Sequence, residues 1–275
     1  MKTASRFRGL TPASFVLLAP EAPASAEYSC VSHDESLHQL WLRRAQALRG
    51  RTYLADGAVD RQHLAEDGRL VLAQDRHSWH IIACEDEDAC ATMRFTFYRN
   101  EIPPDLLALA GSGLFESPAA VRSRRAIEAY QRECLAAGDV FGEVGGWAAD
   151  ASRRGSRKSA AVAISAWPIC RSQGRVRAVS IVTERNQSLG ILTRIAAAPL
   201  ADEEGELPSW QDERYLCQMH LSAFTTWELH GEFENDALEL AELLHAAPLF
   251  VGGTVSDARE ETDFNEYGPR DRVCA

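Results

Sequence analysis

A strand that turns through a short basic loop into a helix restricts a chain to mixed α/β architectures. Residues 143–159, EVGGWAADASRRGSRKS, read as such a unit. The apolar run Val144, Trp147, Ala148, Ala149 is entered from an acid, Glu143, and turns at Asp150. Arg153, Arg154, Arg157 and Lys158 then surround Gly155, and a small-residue helical pattern starts at Ser159. The free N–H groups and the dipole of a helix N-terminus both favour an anion, so residues 153–159 are candidate phosphate ligands. The plainer reading is a strand, turn and helix with a solvated basic face.

Charge sharpens the contrast. The chain has 29 basic and 40 acidic residues, a net charge of −11, which argues against general nucleic-acid binding. Between Ala151 and Arg185, however, eight basic residues face one acid, Glu184, and such an island suggests an anionic ligand or an acidic partner. The seven cysteines are scattered without a CxxC pair, which fits reduced thiols and a cytoplasmic location better than a disulfide framework.

With 45% apolar residues, the 275-residue chain has material for one large core. The run SFVLLA is short and lies between Pro12 and Pro20, so residues 1–27 read as a flexible lead-in rather than a signal peptide. No run approaches the ~20 apolar residues of a membrane span. Residues 28–250 read as the folded domain and 251–275 as an acidic tail.

Element signals alternate within that domain. Tyr28–Ser32 reads as a strand, and Leu37, Leu40, Trp41, Ala45 and Leu48 form one helical face capped by Asp34 or Ser32 and stopped at Gly50. Trp79–Cys84 and Cys90–Tyr98 read as a hairpin around an acidic turn. A helix follows near 119–137, then the Glu143 strand, the basic loop and its helix. Strands at 175–183 and 215–225 and helices at 186–198 and 236–246 complete the order. The expectation is a mixed, mostly antiparallel central sheet flanked by helices.

This order resembles the GNAT acyltransferase fold, in the branch holding long-chain N-acyl amino acid synthases and acyl-homoserine-lactone synthases. LHQLWLRRAQAL lies where that family has its first helix, and HIIACEDEDACATMRF is similar to its hairpin and G-T-x-R-L segment, with Arg94 at the arginine. GEVGGWAADASRRGS resembles its central strand and loop, and AVSIVTERNQSLGILTRIAA extends the likeness. Two departures stand out. Arg157 occupies the place of the loop's middle glycine, and LGILTRI lacks the tyrosine that often protonates the leaving thiolate.

The resemblance implies N-acyl transfer of a long acyl group from acyl-CoA or an acyl carrier protein (acyl-ACP) to a small amine such as an amino acid. No permanently bound cofactor is expected. Such chemistry needs a held thioester, a base for the amine and donors for the oxyanion. The backbone of Gly145–Ala148, at Trp147 in particular, is the candidate oxyanion donor, and Glu143 is the candidate base or else a strand-end acid. Arg94 is a candidate for the acceptor's carboxylate, or a surface arginine. Trp79 and Phe95, with Phe97 and Trp147, would line an acyl tunnel; a filled core there would favour a non-catalytic module that binds an acyl carrier or acidic protein. His77 and His80, three apart on a strand, point to opposite faces and suggest no metal site.

Overall fold

A computed structural model describes residues 6–21, 23, 27–213 and 215–252. The strands are β1 (Phe15–Ala19), β2 (Val31–Ser32), β3 (Ser78–Glu85), β4 (Asp88–Tyr98), β5 (Val140–Ala149), β6 (Val176–Thr183), β7 (Ala198–Pro199), β8 (Ala201–Asp202), β9 (Gly205–Glu206), β10 (Trp210–Asp212), β11 (Cys217–Thr225) and β12 (Leu249–Val251). The helices are α1 (Glu35–Ala55), α2 (Ala120–Ala136), α3 (Arg157–Ile164), α4 (Ala166–Ser172), α5 (Ser188–Ile195) and α6 (Gly231–His245). One sheet runs β10-β11-β6-β5-β4-β3-β1-β12-β2, with β7 also on β11; β8 and β9 form a separate hairpin. The pairs β5–β6, β1–β12 and β12–β2 are parallel and the rest antiparallel; the mixed, mostly antiparallel sheet is as expected, while β1 and β12 had no place in the expected order.

The N-terminal expectation is corrected. The run at 15–19 is not a flexible lead-in but β1, fully buried between β3 and β12. Its unbroken apolar residues suit a strand covered on both faces, each large side chain gaining roughly 1.5–3 kcal/mol from burial. The expected acidic tail lies, from residue 253 onward, outside the described residues.

Asp34 caps α1, its carboxylate accepting the Leu37 N–H at 3.1 Å. The helix does not stop at Gly50. A Cβ there would lie 2.1 Å from the Gly68 carbonyl oxygen, so this glycine permits close approach of the 68–70 segment, whose Leu70 N–H bonds the Gln46 carbonyl. The β3–β4 turn rests on Asp86 and Glu87, both with positive φ, the two-residue geometry that matches strand twist.

The sheet divides the core. Trp79, Ile81, Met93, Phe95 and Val144 pack toward α3, α4 and α6, while Ile82, Phe141 and Val179 pack with residues of α1 and α2.

Candidate functional site

β5 is where the sheet departs from regularity. Opposite β4, Thr92 pairs with Ala148 but Arg94 with Gly145, so Gly146 and Trp147 together oppose Met93. Gly146 sits at φ +63, a conformation that side chains resist, and a Cβ there would lie 3.2 Å from Arg49 Nη1. On its other side β5 pairs with β6 only over Val140–Glu143 against Val176–Val179. Beyond that point the strands separate, and Val144–Ala149 and Ser180–Thr183 become facing walls of a cleft of about 140 Å³.

Other elements complete the cleft: Thr52, Tyr53 and Asp56 from the end of α1; Arg154, Gly155 and Ser159 from the loop into α3; Arg185, Asn186, Ile191 and Leu192 after β6; and Tyr215 and Met219 around β11. The Tyr53 hydroxyl lies 3.4 Å from the Trp147 carbonyl, at the separated part of β5. A small apolar recess of about 10 Å³ adjoins it, sharing Met93, Val144, Ser180 and Leu192 and running toward Trp167 and Phe224.

The basic loop is less free than its sequence suggests. Arg153 pairs with Glu85, and Lys158 donates to the Cys84 carbonyl at 2.7 Å and lies 3.9 Å from Glu85. Arg157 donates to the Arg8 carbonyl, and Ser156 caps α3 by accepting the Ser159 N–H at 3.3 Å. Of the candidate phosphate ligands, only Arg154, Gly155 and Ser159 line the cleft.

Trp147 lines the cleft, but Trp79, Phe95, Arg94 and Glu143 do not. Trp79 and Phe95 are packed in the core, so side chains fill the expected tunnel, the outcome that on sequence grounds favoured a non-catalytic binding module; the open cleft lies instead between β5 and β6. Arg94 alternates to the face opposite Met93 and is wholly buried, with none of its guanidinium nitrogens hydrogen-bonded within the protein. Glu143, also buried, accepts the Ala108 and Leu109 N–H groups at 3.0 and 2.6 Å and lies 3.9 Å from Arg94. Burial raises its carboxyl above the usual range, against the lowering effect of Arg94 and the two N–H groups.

Glu143 and Arg94 belong to a buried charge network under β5. Arg49 donates to Asp75 at 2.5 Å and to the Leu70 carbonyl at 3.1 Å; Gln46 donates to Asp75 at 2.9 Å; and His80 Nε2 lies 3.0 Å from the Asp75 carbonyl. Burial alone would raise the Asp75 carboxyl, but Arg49, His80 and Arg94 hold it well below the usual carboxylate range. Burial pushes His80 down to about 4, although Asp75 opposes the shift.

Tyr53, Tyr215, Asp56, Arg185 and Asn186 were not apparent as site residues from sequence. Tyr53 falls beyond Gly50, which reads in sequence as the end of its helix, and Tyr215 precedes a strand whose place beside β6 no local pattern reveals.

A mixed sheet, a parallel pair that separates and a loop-to-helix turn at the opening make up the arrangement that the sequence resemblance implied. The chain is similar to the CoA-dependent acyl-homoserine lactone synthase BjaI with SAM and isopentyl-CoA, at TM-score 0.53 and 11% identity over 87% of this chain and 93% of that one. The same synthase with MTA gives TM-score 0.52, 11% identity and the same coverage. FeeM, an N-acyl amino acid synthase from uncultured soil microbes, matches at TM-score 0.43 and 11% identity over 66% of this chain and 89% of that one, too distant to support more. The first two matches establish the fold that the sequence resemblance implied. No protein-family model matches the sequence, and no curated protein matches it significantly.

Proposed function

We propose that the chain is an N-acyltransferase, moving an acyl group from a phosphopantetheine thioester to the amine of a small acceptor in the cleft between β5 and β6. One observation carries this reading: the strands part after Glu143 and Val179, leaving the β6-facing backbone of Val144–Ala149 without a ladder partner along an apolar slot. Such an edge suits an extended amide-bearing arm, which pairs with backbone much as a strand does.

The amine nitrogen attacks the thioester carbonyl, and the oxyanion that forms is met by N–H groups of the Gly146–Trp147–Ala148 bulge. Collapse breaks the C–S bond. We assign Tyr53 the proton donated to the departing thiolate, since its hydroxyl lies beside the bulge at the Trp147 carbonyl. The proton lost by the amine nitrogen passes to water and restores the phenol. Glu143 takes a positioning role, because its carboxylate is committed to two backbone N–H groups and lies outside the cleft lining.

The recess is about one water in size, which favours a short or branched acyl group over the long chain that the resemblance implied. Coenzyme A and carrier protein present the same arm. The internal pairing of Arg153, Arg157 and Lys158 removes much of the reason to prefer an acidic carrier surface.

Incubation with acyl-CoA and acyl-carrier thioesters of graded length, each with a panel of amino acids and amines, followed by mass spectrometry, tests the reading. Amide formation is expected, with Tyr53→Phe lowering kcat about 100-fold while the fold is retained. Binding of thioesters without turnover under any pairing would instead identify a non-catalytic carrier-binding module.

A further inference from the structure

Three elements meet at the mouth of the cleft through one carboxylate. Asp56 ends α1, and its Oδ2 accepts from Arg154 Nη2 at 2.7 Å and from Asn186 Nδ2 at 3.3 Å. Arg154 Nη1 donates to the Asn186 side-chain carbonyl at 3.1 Å, closing a three-membered ring of contacts. Arg185 donates to the Asp56 backbone carbonyl. All four residues line the cleft, so the ring ties the end of α1 to the loops that follow β5 and β6.

Two features mark this ring as a poised contact rather than ordinary surface pairing. The C-terminal end of a helix carries partial negative charge, an unfavourable place for a carboxylate, and the last turn of α1 has no basic residue to offset it. The loop that supplies Asn186 also holds two consecutive non-glycine residues in left-handed backbone, Asn186 at φ 57 and Gln187 at φ 60. The ring therefore fastens a strained loop to a helix end that repels the acid involved.

We propose that Asp56 is a resident anion: it occupies Arg154 in the free protein and yields it to the phosphate of the incoming thioester arm. The inference rests on the thioester reading above and adds its regulation. With the arm absent, Asp56 neutralises Arg154 and ties together the three elements around the mouth. An arriving phosphate replaces one anionic partner of Arg154 with another, Asp56 is released toward solvent, and the ties to both loops open together. Free anions of similar geometry then compete with the donor for the same guanidinium, so the enzyme senses them without a separate site.

The test compares 4′-phosphopantetheine with pantetheine, the same arm lacking the phosphate, using calorimetry on the full chain, with inorganic pyrophosphate as a third probe. Asp56→Asn is expected to bind both phosphate-bearing probes about three- to tenfold tighter than wild type, the range expected for removing one partly exposed competing ion pair. Pantetheine binding is expected to stay unchanged, and Arg154→Gln to remove the preference for the phosphorylated arm. Asn186→Gly keeps the left-handed backbone accessible but removes the bridging amide, and is expected to tighten phosphate binding about twofold as a second measure. Unchanged or weaker phosphate binding in both Asp56→Asn and Asn186→Gly, with wild-type turnover intact, overturns the resident anion and leaves the acyltransferase reading standing. Absence of binding by either arm, together with no turnover of any thioester, overturns both.

Discussion

Two groups of basic residues flank the same strand and differ in almost every physical respect. Arg49 and Arg94 lie beneath β5 at 1% and 0% exposure, with Asp75, His80 and Glu143 equally removed from water. Arg153, Arg154, Arg157 and Lys158 lie past its end, partnered by Glu85, Asp56 and backbone carbonyls at the protein surface. In the first group the charges are shielded from water, so removing a counter-charge leaves a buried ion uncompensated. In the second, water and salt compete with every pair, so partners exchange at small cost. Arginine under the strand is architecture; of the basic residues just beyond it, Arg154 lines the cleft.

The contrast is open to attack at its strongest point. Asp75→Ala leaves Arg49 buried without its carboxylate and is expected to lower stability by about 3–5 kcal/mol in urea denaturation. A loss below about 1 kcal/mol would show that water already reaches the network. The next effect is a matter of pH. Between pH 6.5 and about 4 the unfolded chain binds a proton at His80 that the folded chain refuses, so stability falls as pH falls through this window and this contribution levels off below it. The expected span is about 3 kcal/mol, measured as the difference in pH dependence between wild type and His80→Gln. The surface group supplies the smallest effect. Arg153→Gln removes the Glu85 pair and is expected to change stability by about 0.2–1 kcal/mol, diminishing further in high salt.

Much of the frame was legible in the sequence because it rests on local signals. Alternation in β4, the β-branched run of β6, the Asp34 cap and the acidic β3–β4 turn each express a short-range preference, and the order of elements was enough to suggest the fold. What escaped detection depends on distant partners. β1 is only five residues long and is explained by β12, more than two hundred positions away. Gly50 looks like a helix stop until the close-lying 68–70 segment explains it.

The site divides along the same line. The irregular backbone at Gly145–Ala148 was readable from paired glycines, and Arg154, Gly155 and Ser159 from the loop composition. The facing of Glu143 and Arg94 was not. Strand periodicity assigns them a side but does not say that α1 and the 108–109 turn will cover that side. Tyr53 and Tyr215 reach the cleft from opposite ends of the chain, a proximity that only the folded sheet creates.

The limited contact between β5 and β6 also has a mechanical meaning. Four residue pairs join these strands before the gap begins, so the sheet resembles a plate notched from one edge nearly to its middle. Load from any wedge pushed into the notch concentrates at its root, the Glu143–Val179 pair, while the flanks move as stiff plates backed by their neighbouring strands. Glu143 stands at that root, and its carboxylate clamps the 108–109 turn against the strand. The acid that the sequence suggested for proton transfer is thus a rivet at the point where the plate would otherwise tear.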